Sequence, residues 1–527
     1  MKNDRVFSFY EQEEHIYTMN IELFPHQVAA FERDLEILEV NPFYIDTSQM
    51  GSGKSFVAAK LAHMLELDLV IVCPLTAKST WEQISREYDI PIKFMINYES
   101  LRGMKGKALS HNLLTREDKL HVNEETYKTT MTSFFHPTRD WVKMIRNGVF
   151  LILDEMQAFK NQNDTSKAVR ALIKPLSDLW YEDLSARSRF ALLSGTPFDK
   201  VEHAVTFCKT VNIIQKTKMF TQDFDTKRLK PYGLLELIEE CKRLDLENAT
   251  AVLERIMPGG YFNKKTVTAT VYELVSKVLF PVISTSMKAF EARVDGELLE
   301  RDIKNGHYRM NEEQTNALQD AIQDLEAAAK GYLDGHWIAI DGLSRITKAL
   351  MNIEIAKIPM LIQLAEDDLE DPNKKVVILC SYSVTIDVLR VALREFSPLV
   401  LRGDTKPKDR GKIIESFQSA DPDSPRLLIG NLQIGGVSIS LHDTDGTRPR
   451  SLYIVPNYHF IALHQATGRV FRQGIKSKAK VRFVYGVGTL GLETKILDNL
   501  ASKTSVMKGL LNDSNVILPG DYPNVDE

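Results

Sequence analysis

Two stretches of this chain alternate short, unbroken apolar runs with helical patterns, and that alternation leaves little choice of fold. The first stretch carries Phe43–Asp46, Leu69–Cys73, Lys93–Ile96, Val149–Leu153 and Phe190–Leu193. The second carries Val376–Leu379, Leu399–Leu401, Leu427–Ile429, Leu452–Val455 and Val481–Tyr485, with helical patterns over Val384–Phe396 and Asp409–Phe417. A strand without polar alternation must be buried on both faces, which is the situation of a parallel sheet covered by helices. Strands alternating with helices in this way predict an α/β domain, and here the pattern occurs twice.

For a chain of 527 residues several domains are expected. The reading divides it into an N-terminal α/β domain over 1–204, a largely helical insert over 205–370, a C-terminal α/β domain over 371–500 and a tail over 501–527. The insert shows helical composition over Leu234–Arg243, Ala289–Asn305 and Asn311–Leu333, while Lys265–Leu274 alternates partly and reads as extended. A polar stretch, 104–147, interrupts the first domain, and the segment after Asn512 reads as a loose end.

A net charge of −5 excludes a protein coated in basic surface. It leaves room for a local basic track, since a limited set of phosphate contacts is enough to hold nucleic acid. One such region lies between Gly446 and Leu492, with eight basic residues (Arg448, Arg450, Arg469, Arg472, Lys476, Lys478, Lys480, Arg482) and no acidic one. Cys73, Cys208, Cys241 and Cys380 are scattered, so neither disulfides nor a structural zinc are expected. No secretory signal and no membrane-spanning run is visible, so a soluble intracellular location is expected: cytoplasmic, nuclear or, for a viral protein, the virion.

Four motifs carry chemistry. After the run 43–46 the chain reads Ser48-Gln49-Met50-Gly51-Ser52-Gly53-Lys54-Ser55 and then turns helical. Glycines let such a loop present its N–H groups to phosphates at a helix N-terminus; Lys54 would meet the β- and γ-phosphates and Ser55 a magnesium ion. Asp154-Glu155-Met156-Gln157 follows a second buried run. Asp154 would hold magnesium through water, and Glu155 would act as general base on the attacking water. Ser194-Gly195-Thr196-Pro197 ends a third run. Ser194, Thr196 and Gln157 are the residues expected to couple hydrolysis to movement. Finally, Arg469 and Arg472 in Gln465–Gly474, three apart and expected on one helix face, would neutralise charge on the γ-phosphate.

In this order the motifs resemble the DExD/H-box ATPases of superfamily 2, and within them the Swi/Snf-type translocases and their relatives in large DNA viruses and phages. Leu23–Gln27 resembles the opening motif, in which the Gln recognises adenine. Val72-Cys73-Pro74 with Trp81-Glu82 resembles motif Ia, and Asn97–Ser100 the segment that follows it. Lys357, Val376–Tyr382, Arg402-Gly403 and Gly435–Leu441 follow motifs IV and V in order. Gln157 stands where His is usual, Ser48 where the strict loop has Gly, and Gly468 where Asp is common.

The resemblance implies two RecA-like parallel-sheet domains that bind ATP and magnesium and move along nucleic acid, DNA more than RNA. It implies nucleotide contacts by His26, Gln27, Met50, Gly51, Ser52, Gly53, Lys54, Ser55 and Gln465. Phosphate contacts on nucleic acid would come from Lys78, Ser79, Asn97, Tyr98, Arg402, Gly403, Gly435 and Gly436, largely without reading bases. Rival readings are a strand-separating DNA or RNA helicase and a nucleotide-dependent scaffold without turnover. A small-molecule P-loop kinase would need neither the second α/β domain nor the arginine motif. Membrane partners are not expected, and no appended motif names a protein partner.

Overall fold

The computed structural model describes residues 22–122, 129–183, 185–222, 229–257, 266–288, 293–294, 297–299, 301–333, 339–435, 439–472, 474–486, 490–513 and 516–526. The chain divides into two compact units, Met1–Ala289 with Val506–Asn515, and Phe290–Ser505 with Val516–Glu527.

The first unit is built on six parallel strands: β1 Phe43–Asp46, β2 Asp68–Val72, β3 Ile92–Ile96, β4 Val149–Asp154, β5 Arg189–Leu193 and β6 Ser284–Thr285. They are ordered β6-β1-β5-β4-β2-β3. The expected runs become these strands because they are apolar on both faces; all of Val149–Leu153 and Phe190–Leu193 is fully buried. Each Val, Leu, Ile or Phe among them contributes about 1.5–3 kcal/mol on leaving water. The polar stretch 104–147 holds an antiparallel hairpin, Leu114–Val122 with Thr129–Pro137. It is fastened to helix Asp164–Glu182 through Arg116, which bonds Ser133 at 2.8 Å and lies 3.5 Å from Asp164.

The second unit carries seven parallel strands: β7 Asp302–Tyr308, β8 Lys375–Cys380, β9 Leu399–Leu401, β10 Leu427–Asn431, β11 Arg450–Ile454, β12 Ala479–Gly486 and β13 Asn524–Asp526. Their order is β9-β10-β8-β11-β12-β7-β13. Two helices, Glu312–Leu333 and Ala339–Ala356, pair around a small core of their own containing Leu318, Ile322 and Ile353. Both units are therefore α/β with parallel sheets.

Four expectations are corrected. The segment 205–370 is shared between the units: Leu234, Val252, Val271 and Phe280 join the core of the first, and β7 belongs to the sheet of the second. Within it, Ala289–Asn305 does not form the expected helix, since its described part runs into β7, which pairs with β12 and β13. Pairing partners far along the chain override the Glu- and Leu-rich local composition. Lys265–Leu274 is helical from Val267 rather than extended, because Val267, Thr270, Val271 and Leu274 are its buried residues, and three-and-four spacing marks one helix face. The tail is no loose end either: Asn524–Asp526 extends the sheet, and Tyr522 is buried against Phe483 with ring centroids 5.1 Å apart. Among the described residues no helix is long and apolar enough to cross a membrane.

Candidate nucleotide site

In both units the residues singled out by sequence follow the carboxyl ends of parallel strands, where such sheets hold ligands. In the first unit β1 leads into Ser48–Ser55, β2 into Lys78, β3 into Asn97, β4 into Glu155 and β5 into Ser194. Their convergence is direct. The Ser194 N–H donates to the Asp46 carbonyl at 2.9 Å. A Cβ on Gly195 would come to 3.0 Å from the Ser48 carbonyl, so any larger residue would push this turn away from the phosphate loop by a few tenths of an ångström.

The loop itself has the required curl. Gly51 and Gly53 adopt φ of +78° and +94°, a region that favours glycine, and the helix Lys54–Met64 begins immediately after. The Lys54 ammonium donates to the carbonyls of Ser48 and Gln49 at 2.8 and 3.2 Å, lying within the loop. Behind it Asp46 is fully buried and accepts from the Ser48 N–H at 2.8 Å; burial raises its carboxyl above the usual range, opposed by Lys54. The Ser52 hydroxyl is buried without a partner in the loop. A curled loop with a helix N-terminus, an ammonium and that orphaned hydroxyl fits a phosphate chain.

Gln27 is tied to this loop. It is buried on helix Pro25–Val40, its Oε1 accepts from the Phe24 N–H at 3.0 Å, and its Nε2 donates to the Ser52 carbonyl at 2.9 Å. His26 Nε2 lies 3.2 Å from the same carbonyl. Both ends of the Gln27 amide thus act on the chain itself, holding the loop from behind, a role that the expected adenine contact did not suggest.

The acidic pair sits at the end of β4. Asp154 Oδ2 accepts from the buried Trp81 indole at 2.9 Å, and the Asp154 carbonyl accepts from the Tyr98 hydroxyl at 2.8 Å. Burial, then the neighbouring Glu155, push the Asp154 carboxyl up to about 7, opposed by the Trp81 bond and by Lys54. Lys54 opposes the upward shift of both carboxyls, Asp46 and Asp154. Glu155 adopts φ +57°, a left-handed conformation that a non-glycine residue holds only where its surroundings enforce it. Its carboxylate accepts from Gln157 Nε2, Gln157 Oε1 accepts from Ser194 Oγ at 2.6 Å, and Ser194 Oγ accepts from the Thr196 N–H at 3.0 Å. The three coupling residues are therefore brought together with Glu155 in one chain of bonds.

Other expectations fare unevenly. Ser79 is exposed and Lys78 half-buried, whereas Tyr98 is buried, with its hydroxyl on Asp154 instead of at the surface. Asn97 bonds Glu99 at 2.9 Å. In the second unit Arg402 forms an ion pair with Asp387, and Gly403 is exposed. Gly435 ends a short helix, while Gly436 lies outside the described residues. Gln465 is buried on helix Phe460–Thr467. That helix stops before Arg469, so Arg469 and Arg472 lie in the following turn and not on a shared helix face. Arg469 is buried and donates to the Ile439 carbonyl at 3.3 Å, and Arg472 donates to Ser440 Oγ at 2.6 Å. The basic stretch is not a continuous surface track either: Lys476 and Lys478 are exposed, but most of its arginines are not. Arg448, Arg450, Arg469 and Arg482 are buried, Arg482 pairs with Asp302 at 3.1 Å, and Lys480 pairs with Asp368 at 3.2 Å.

The chain is 23% identical to the Acanthamoeba polyphaga mimivirus protein named "Putative ATP-dependent RNA helicase L364", over 94% of this chain and 84% of that protein. No family model matches the chain. Among solved structures, the Sulfolobus solfataricus SWI2/SNF2 ATPase core in complex with dsDNA matches 94% of this chain and 98% of its own, at 15% identity and a TM-score of 0.31. A second structure of that core domain matches 94% and 92%, at 17% identity and the same TM-score of 0.31.

Proposed function

We propose that this chain is a superfamily 2 ATPase, a motor that couples ATP hydrolysis to movement along nucleic acid, with duplex DNA as its track. The observation that carries the reading is the relay from Glu155 through Gln157 to Ser194. It ties the carboxylate suited to activate water to the turn that presses on the phosphate loop. A scaffold that only bound nucleotide would have no use for a base joined to a second structural element.

Lys54 and the loop N–H groups bind and orient the phosphates, and Glu155 takes a proton from the attacking water at its carboxylate. Asp154 and Ser55 are the residues that would hold magnesium, which when bound polarises the phosphate oxygens. Arg469 and Arg472 are proposed to neutralise charge developing on the γ-phosphate. Lys78, Ser79, Asn97 and Arg402 are proposed contacts to the nucleic-acid backbone; for Arg402 this means exchanging Asp387 for a phosphate.

The Swi/Snf-like order of motifs favours duplex DNA. The name of the mimivirus relative favours the second reading, a strand-separating RNA helicase. ATPase rates with duplex DNA, single-stranded DNA and RNA of matched length separate the two. Stronger stimulation by RNA would move the protein to the second reading, and no stimulation by any of them would overturn the motor.

A further inference from the structure

The first turn of helix Lys78–Tyr88 faces two ways. Its first residues, Lys78 and Ser79, are the half-buried and exposed groups proposed above to meet nucleic acid. Trp81, on the next position but one, is fully buried and donates its indole N–H to Asp154 Oδ2 at 2.9 Å. The following element behaves alike: Asn97 lies at the end of β3, and next to it the buried Tyr98 donates its hydroxyl to the Asp154 carbonyl at 2.8 Å. Two segments that reach toward a backbone-binding surface thus each send one hydrogen bond to the same acidic residue, one to its side chain and one to its main chain.

We propose that Trp81 is a positioning residue for Asp154, and that through it the nucleic-acid-facing helix sets the geometry of the metal-holding carboxylate. The inference rests on the motor reading for the nucleic-acid contacts, but the Trp81–Asp154 bond stands without it. An indole N–H is a donor only and sits on a rigid ring, so it commits one carboxylate oxygen and fixes the rotation of the group. Partners of this kind orient a ligand toward its cation, and their loss typically costs about 10- to 100-fold in metal affinity. A rotation of helix Lys78–Tyr88 on binding a phosphate backbone would move the indole and, with it, the carboxylate.

Trp81→Phe removes the N–H while keeping an aromatic ring in the same core position; Tyr98→Phe removes only the second hydroxyl. Binding of a fluorescent non-hydrolysable ATP analogue to the full chain is measured against magnesium concentration, first alone and then with duplex DNA. Wild type and Trp81→Phe should bind the analogue equally without magnesium. The magnesium concentration for half-saturation should rise about 10- to 100-fold in Trp81→Phe and less in Tyr98→Phe. Duplex should lower that concentration in wild type and not in Trp81→Phe. Equal magnesium dependence in wild type and both variants overturns the positioning role. So does an equal loss of metal-free binding, which would mark Trp81 as packing alone. A duplex-induced shift that survives in Trp81→Phe, or is missing from wild type, overturns the coupling. Wild type that binds no analogue at all overturns the ATPase reading along with it.

Discussion

The Ser194 hydroxyl donates to Gln157 Oε1 at 2.6 Å, and the other end of the same amide donates to the Glu155 carboxylate. A neutral histidine also offers one donor and one acceptor, but on two separated ring nitrogens and in a single tautomer. The amide carries its acceptor and its donor on one carbon and serves both at once. If this is the coupling route, Gln157→Ala and Ser194→Ala should each lower kcat, and the double variant should be little worse than either. A double-mutant cycle should return an interaction of about 0.5–3 kcal/mol, as expected of groups in one network. Strict additivity would show that the two residues act separately.

Glu155→Gln should bind ATP and fail to hydrolyse it, because an amide cannot take the proton of the attacking water. Lys54→Ala should lose turnover as well, but through the phosphates, whose motif-supplied ammonium is gone. Nucleotide-binding titrations beside ATPase rates distinguish the two. Equal loss of binding in Glu155→Gln would assign Glu155 a structural task, and near-normal turnover by Lys54→Ala would remove the phosphate site from Ser48–Ser55.

Gly53→Ala should be as damaging as a change in a charged residue. At φ +94° an alanine is strained, and its Cβ would come to 2.0 Å from Gln27 Nε2. Either the Gln27–Ser52 bond breaks or the loop shifts. Gln27→Ala should relieve the clash without relieving the strain, so the double variant should recover nucleotide affinity in part. No difference between Gly53→Ala and the double variant would show that the backbone angle alone matters.

Arg472→Ala should cut kcat by at least about two orders of magnitude while changing affinity for a non-hydrolysable analogue far less, since finger arginines act on transition-state charge. Arg469→Ala should lower kcat too, but its side chain is buried and bonded to the Ile439 carbonyl. A fall in melting temperature should therefore accompany that loss. Analogue affinity that falls in step with kcat for Arg472→Ala would end its assignment as a finger.

The parallel strands were legible because Val149–Leu153 and its counterparts are apolar without interruption, a pattern that survives any context. β7 was not, since Asp302–Tyr308 reads Asp-Ile-Lys-Asn-Gly-His-Tyr and becomes a strand only through β12 and β13. Within the site, the motif residues could be read off their spacing. Their mutual bonds could not: nothing local to Trp81 or Tyr98 points to Asp154, which lies far along the chain and next to them only after β2, β3 and β4 have been placed in one sheet. The basic stretch misled for the complementary reason. Charge was visible in sequence, but the partners that bury Arg450 and Arg482, the Leu441 carbonyl and Asp302, were not.

Acid should destabilise the second unit through His442. Burial, then the cations Arg472 and Arg450, hold its imidazole down at about 4, with Asp443 opposing them. In the unfolded chain the same group takes its proton near 6.5. Below that value the unfolded state binds a proton that the folded state refuses, so stability falls as pH drops from about 6.5 to about 4 and is fully present above that window. His464, also held at about 4 by burial and by Arg301, acts in the same direction over the same range. Melting temperature of the full chain should therefore decline between pH 7 and pH 5, and His442→Gln, neutral throughout, should make that decline shallower. The comparison between wild type and variant cancels the carboxylates common to both. An unchanged slope would mean that His442 gains its proton in the folded state as readily as in water, and that the neighbouring Arg472 does not exert the field the geometry assigns to it.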